Sequence, residues 1–487
     1  MKKIGILHPI FSLENNYGIG NFGKEAYAFV DFLAKAQIDY WQILPLGLTS
    51  YGDSPYQALS TYAGSINYLD LETLAQDGLI SSDDLKEATT ISSVCEYGFL
   101  FNTRMKILHK AYHNFLLQPQ KEFASFKAQN AYWLDDYALY MSLKVYFNYQ
   151  AVQNWPQPYF DKTSYEVKIF KMEHQDDLDF HKFNQFLFFK EWYALKKYAN
   201  QKNIKIIGDM PIYVATDSSD VFASPQVFLL DERLNPTSCA GVPPDYFSED
   251  GQLWGNPIYN YDYLCKTNYD WMIKRIKHHL AMYDIIRLDH FRGYASYYVI
   301  PSGMENAKIG VWYDGPRMEL FKRVKRIVKT KLRKRIIAED LGFLTEDVTK
   351  LLDDCKLAGI KVMQFGYPEC GKSTNYYKNY TKHQTVYPGT HDNDTIKGWF
   401  SNLDKETQEI ILNDLKTDEA NLTDAFIKTI VKSKSDHVII LLADFMNLSS
   451  DARINTPGEM ANNWRIRFKN EALDDKLCEH IINLTRK

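Results

Sequence analysis

Short apolar runs recur along the chain, each bounded by turn-forming residues: Ile4–Leu7, Tyr40–Leu44, Ile204–Ile207, Asp284–Leu288, Arg335–Ala338, Gly359–Phe365, Gln384–Tyr387 and His437–Leu442. Runs that are apolar throughout, without polar alternation, suit parallel strands buried on both faces. Between most of them lie stretches with helical periodicity, such as Gly23–Ala36, Trp271–Met282 and Arg317–Leu332. Eight strands alternating with helices predict an α/β protein of the (β/α)8 type, a TIM barrel.

The spacing is uneven. A plain barrel unit takes roughly 31 residues, yet about 160 separate the second run from the third. That gap predicts a mainly helical insertion over about 52–198, after the second strand. A second, also mainly helical, insertion is expected over 211–265, after the third. Both would lie at the C-terminal face of the strands, where barrel enzymes build their sites. No internal repeat or low-complexity tract divides the 487 residues, so the chain reads as one catalytic barrel over 1–487.

Composition narrows the functional classes. The net charge is -4, so no global basic field recruits nucleic acid. No apolar run approaches the ~18 residues of a membrane span, and the N-terminal MKKIGILHPIFS reads as a first strand and not a signal peptide. The six cysteines form no CxxC pair, which fits reduced thiols in the cytoplasm and argues against a zinc site or a disulfide framework. Aromatic residues make up 15% of the chain. Flat rings suit stacking on sugar faces, and they equally suit an ordinary core.

Three motifs invite other readings. Gly18-Ile-Gly-Asn-Phe-Gly23 matches GxGxxG, but it lies about ten residues beyond the first strand, and Asp39 precedes the second strand instead of ending it. A glycine turn opening a helix is the better reading than a dinucleotide site. The run Lys322–Arg335 carries nine Lys/Arg with apolar residues at helical spacing, as expected of a solvated helix face. His278 and His279 are adjacent in a predicted helix, where neighbours point about 100° apart and do not readily share a metal. They are expected to be surface or partly buried histidines.

The chemistry concentrates at three strand ends. In Ile286-Arg287-Leu288-Asp289-His290-Phe291-Arg292-Gly293, Arg287 and Asp289 are two apart and share a face. The guanidinium is expected to keep Asp289 ionised, as a nucleophile requires. In Ala338-Glu339-Asp340-Leu341-Gly342, Glu339 follows an apolar strand. Neighbouring carboxylates would raise its pKa and leave it protonated, as a general acid requires. In Gly389-Thr390-His391-Asp392-Asn393-Asp394, His391 and Asp392 are suited to vicinal sugar hydroxyls. The three fall on the predicted fourth, fifth and seventh strands and converge on one barrel mouth.

These segments resemble the core motifs of the α-amylase-like clan. Further segments resemble the 4-α-glucanotransferases (amylomaltase, disproportionating enzyme): Tyr40–Gly47, Tyr51–Gln57, Gly208–Tyr213, Gly241–Phe247, Gly251–Pro257, Asn455-Thr456-Pro457-Gly458 and Asn463-Trp464-Arg465. The likeness runs from Gly5 to Arg467. It departs locally at Phe11–Asn16, which lacks a usual proline, and at Gly64-Ser65-Ile66, where Gly-Asn-Pro is common.

The resemblance implies retaining transfer of an α-1,4-glucan segment to the 4-hydroxyl of another glucan, with Asp289 as nucleophile, Glu339 as acid/base and Asp392 as transition-state stabiliser. It implies substrate contacts at Tyr56, Asp209, Tyr246, Phe247, Gln252, Trp254, Arg287, His391 and Asn463. Gly241–Pro257 would be an aromatic lid on the acceptor side. The partners implied are α-1,4-glucans and maltooligosaccharides, with no cofactor and no metal. Asp209 is followed by Met-Pro-Ile-Tyr instead of the Asn-His pair tied to calcium in α-amylases. About 45 residues follow Leu442, too few for the C-terminal β-sandwich common in amylases. The competing expectation is an α-1,4-glucan hydrolase using the same acids. A monomer or weak homo-oligomer is expected.

Overall fold

The computed structural model describes residues 2–49, 52–118, 121–244, 248–342, 344–367, 371–459 and 462–486. Among them are twelve strands: β1 (Lys3–Leu7), β2 (Tyr40–Gln42), β3 (Lys205–Met210), β4 (Ser238–Val242), β5 (Gln252–Pro257), β6 (Ile285–Leu288), β7 (Ser296–Pro301), β8 (Val311–Asp314), β9 (Ile336–Ala338), β10 (Ile360–Val362), β11 (Thr385–Tyr387) and β12 (His437–Leu441). Eight of them, in the order β10-β11-β12-β1-β2-β3-β6-β9, form one parallel sheet. They coincide with the eight apolar runs of the sequence. A parallel bridge between Ala338 and Gly359 joins β9 to β10, so the sheet curls into a (β/α)8 barrel.

The closing seam has its own clasp. Asp340, only 4% exposed, accepts the Ile360 N–H at 2.7 Å and faces Lys361 Nζ at 3.5 Å. Its carboxylate presses so closely on Gly359 that a Cβ there would lie 2.0 Å from Asp340 Oδ2. The seam therefore demands glycine at 359.

The helices follow from their spacing. Lys24–Lys35 buries Ala26, Phe29, Val30 and Leu33 along one stripe. Gly23, the last glycine of the GxGxxG match, is its N-cap, so the motif is a turn into a helix. Helix Arg317–Val328 buries Leu320, Phe321, Val324 and Val328 and turns its lysines and arginines outward before β9. Between β2 and β3 the chain is helical. Its two longest helices, Lys121–Tyr146 and Gln175–Gln201, interleave rings, with Phe123–Phe186 and Phe126–Phe189 centroids 5.6 and 5.9 Å apart. Much of the aromatic content is thus core. Helix Gln175–Gln201 runs into β3 and packs on the barrel, its Trp192 donating to Met282 O at 3.2 Å.

Two expectations require correction. The segment after β3 is not mainly helical. It supplies β4 and β5 to a small antiparallel sheet, β5-β4-β7-β8, completed by a hairpin inserted after β6. The composition of these strands hid them, since SCAGV and QLWGNP carry glycine and proline and β8 is exposed along its whole length. His278 and His279 are buried, deeper than the surface or partly buried positions expected. His278 Nε2 meets Tyr62 O at 3.0 Å, and His279 Nε2 faces Thr61 Oγ1 at 3.5 Å. No described helix is long and apolar enough to cross a membrane.

Substituting Gly359→Val should force Asp340 off the seam and lower stability by about 1–3 kcal/mol, the usual cost of overpacking. A thermal melt indistinguishable from that of the parent protein would contradict the clasp.

Candidate active site

Adjacent strands β3, β6 and β9 bring the first acids together. In register, Asp209 pairs with Arg287 and Leu288 with Ala338. Arg287 Nη1 lies 2.8 and 2.7 Å from the two oxygens of Asp209 and 3.0 Å from Asp289 Oδ1. Its Nη2 lies 4.0 Å from Glu339 Oε2. One guanidinium thus reaches three carboxylates from three consecutive barrel strands. The Asp209 side chain is sealed, whereas that of Asp289 keeps 24% of its surface open to the barrel mouth.

The backbone beyond the strand ends holds these groups. Asp289 N donates to Met210 O, and Glu339 N to Leu288 O, at 3.1 and 3.0 Å. His290 adopts a left-handed backbone, φ 46°, which a non-glycine residue takes only under constraint. That turn aims its N–H at Glu339 Oε2, 2.7 Å away, while Leu341 N–H reaches Oε1 at 2.7 Å. Both carboxylate oxygens of Glu339 are thereby fixed by main chain.

The electrostatics differ from the sequence reading at one point. Arg287 alone does not leave Asp289 an ordinary anion. Burial pushes its carboxyl up to about 8; Arg287 pulls it down, and Asp209, Glu339 and Asp392 add to the rise. Glu339 is also raised, chiefly by burial, with Arg287 opposing. Both carboxyls are thus held above the usual carboxylate range, so the site retains a proton near neutrality. Arg287 stands nearer Asp289 than Glu339, which favours the negative charge on Asp289 and the proton on Glu339.

The third acid arrives from the loop after β11. Asn393 Oδ1 accepts from both N and Oγ1 of Thr390 at 2.9 Å, pinning the turn. Asp392 Oδ1 accepts from Asn455 Nδ2 at 2.6 Å, and Arg453 Nη2 donates to the Asp392 carbonyl at 2.8 Å. The Asp392 side chain stays 43% exposed. Arg453 and Asn455 were not singled out from sequence. Asn455 belongs to the Asn-Thr-Pro-Gly segment, but nothing in the segment's spacing reveals that its amide orients an acid from another loop.

The remaining sequence-derived residues divide into groups. The Tyr56 hydroxyl donates to Asp209 Oδ2 at 2.9 Å and meets His391 Nε2 at 2.8 Å, and its ring stacks on His391 at 5.3 Å. Burial holds the His391 imidazole below its usual range, so it is neutral and donates through Nε2. Trp254 of β5 stands edge-on to His290 at 4.9 Å, its indole N–H bonded to Gln252 Oε1 at 3.1 Å. The arm carrying β5 therefore touches the residue after Asp289. Asn463 is not brought to the cluster. Its amide bonds Thr456 N, Thr456 O and Glu459 O, which closes the loop that carries Asn455. Tyr246 and Phe247 lie outside the described residues. Among the described residues no cluster of His, Cys, Asp or Glu is arranged to hold a metal.

Carbon-13 labelling of aspartate and glutamate side chains should reveal a carboxyl titration well above the usual carboxylate range that changes in Asp289→Asn. Arg287→Gln should move it higher, because the lost cation favoured the ionised form. Carboxyl resonances that all titrate at about 4 would contradict the proton-retaining site.

A family model described as 4-alpha-glucanotransferase, glycoside hydrolase family 77, matches residues 8–473. The chain is 45% identical over 485 residues to a 4-alpha-glucanotransferase of Clostridium butyricum, covering 98% of each chain. It is 38% identical over 475 residues to one of Thermus thermophilus, covering 95% and 94% respectively. Among solved structures it resembles the amylomaltase from Streptococcus agalactiae in complex with acarbose, with a TM-score of 0.96 and 38% identity, over 100% of this chain and 99% of that one.

Proposed function

The chain belongs to the 4-alpha-glucanotransferases of glycoside hydrolase family 77, and from that premise we propose that it passes segments of α-1,4-glucan between maltooligosaccharides by a retaining double displacement centred on Asp289, Glu339 and Asp392. The observation that carries this reading is the single guanidinium of Arg287 reaching Asp209, Asp289 and Glu339 at one barrel mouth.

In the first step Asp289 attacks the anomeric carbon, and the bond to the 4-oxygen breaks as Glu339 delivers its proton to that oxygen. A glycosyl ester on Asp289 results, and the shortened glucan leaves. In the second step the acceptor's 4-hydroxyl attacks the same carbon, its proton returns to Glu339, and Asp289 leaves as carboxylate. Two inversions keep the α configuration. Asp392, steadied by Asn455, and neutral His391 are assigned to hydroxyls of the sugar at the reacting centre, where a carboxylate also favours oxocarbenium-like charge. Arg287 keeps Asp289 a competent anion and leaving group.

An α-1,4 bond replaces an α-1,4 bond, so the driving force is small and success depends on excluding water, present at about 55 M, by favouring an oriented sugar. The edge of Trp254 on His290 supports the assignment of the β4–β5 arm as the acceptor-side shield. A cytoplasmic setting is part of the proposal and is supported by the free cysteines Cys95, Cys239, Cys265, Cys355 and Cys478.

Incubation with maltotriose should give glucose together with a ladder of longer chains. Products no longer than the substrate would favour hydrolysis instead. Asp289→Asn should lower turnover by roughly 10³-fold or more while glucan binding persists; substantial residual turnover would remove Asp289 as nucleophile. Trp254→Ala should raise the ratio of hydrolysis to transfer several-fold, read as reducing ends released per bond transferred. An unchanged ratio would end the shielding role.

A further inference from the structure

Outside the barrel mouth, a cavity of about 230 Å³ opens between helix Lys121–Tyr146, helix Ser219–Ala223 and helix Asp270–Met282. None of its lining residues belongs to the acid cluster. Tyr132, 51% exposed, and the half-buried Trp271 form aromatic walls. Carboxylates of Asp136, Asp220 and Asp270 face it with Lys274.

Two of the three carboxylates are already ion-paired. Lys162 Nζ lies 2.7 Å from Asp136 Oδ2, and Lys274 Nζ lies 2.7 Å from Asp270 Oδ2. Asp220 accepts the Thr61 N–H at 2.8 Å, and burial pushes its carboxyl up to about 6. A cation gains little from carboxylates that are paired, and a phosphate is repelled by them. A neutral polyhydroxyl ligand suits the pocket best, because the paired carboxylates keep lone pairs for hydroxyl donors while the aromatic walls, above all the exposed Tyr132, offer apolar contact to C–H groups.

The inner wall connects this pocket to the site. Ser60 and Tyr62 line both this cavity and a second one that also touches Tyr56. The segment between them is held firmly, since Arg275 Nε donates to Thr61 Oγ1 at 2.6 Å.

We propose that this cavity is an auxiliary binding site for a maltooligosaccharide chain, separate from the catalytic cleft, that anchors long glucans beside the barrel. The choice of glucan as ligand rests on the function proposed above; the pocket's preference for a neutral sugar rests on its own chemistry. A tethered polymer raises its own concentration at the cleft, so the benefit should fall on long substrates and spare short ones.

The test is calorimetric titration of maltohexaose into Asp289→Asn, where more than one site per chain is expected. Adding Tyr132→Ala should remove one site and leave the other within about twofold in affinity, an order set by loss of contacts at a single site. Ser224→Trp, which blocks the rim without removing a packed ring, should do the same. In the otherwise native enzyme both changes should raise KM for long amylose by about fivefold, with kcat/KM for maltotriose held within about twofold. A single site at the outset, extra sites that survive both substitutions, or an unaltered KM for amylose would each overturn the proposal. Failure of the transfer reading would look different: the native enzyme would build no ladder from maltotriose, whatever the number of sugar sites.

Discussion

The whole site turns on one buried cation. Arg287 sits at 4% side-chain exposure with Asp209, Asp289 and Glu339 around it. Breaking such a cluster by removing one partner costs about 3–5 kcal/mol, because the remaining charges stay buried and uncompensated. The planar fork of an arginine reaches two sides at once, which the point charge of a lysine does not. The same residue therefore organises the fold at the barrel mouth and divides the proton between two carboxyl groups. With more acids than cations, the cluster must keep a proton, and a retaining glycosyl transfer begins with one.

Around that cluster the protein spends main chain where side chains would be too loose. The left-handed turn at His290 presents an N–H to Glu339, and the next strand's continuation presents another from Leu341. Asp392 is handled differently. It sits on a loop, so its orientation comes from Asn455 and Arg453 on a second loop, which Asn463 closes. The rigid acids lie on consecutive strands, and the more exposed one is steadied from the far end of the chain.

The barrel was legible because parallel strands buried on both faces leave unbroken apolar runs, and each of the eight runs contains a barrel strand. Asp289 and Glu339 were legible because they follow such runs directly, and Asp392 because it lies in the loop just beyond one. The small antiparallel sheet was not, since SCAGV, QLWGNP and VWYD are short, rich in glycine or polar residues, or exposed, and their pairing is long-range. The depth of His278 and His279 was hidden for a related reason: a histidine pair carries no sign of the carbonyl or hydroxyl that a distant loop will supply. The rise of Asp289 was also missed, because adjacency to one arginine says nothing of how many other carboxylates share it.

The pairing of β1 with β12, from Lys3↔His437 through Leu7↔Leu441, sets a timetable for biosynthesis. One edge of β1 stays open until β12, more than 400 residues later in the chain, is made to cover it. Asn455, which steadies Asp392, emerges later still. A chain that has not yet reached β12 thus carries an unfinished wall, and one that has not reached Asn455 leaves Asp392 without the amide that accompanies it here.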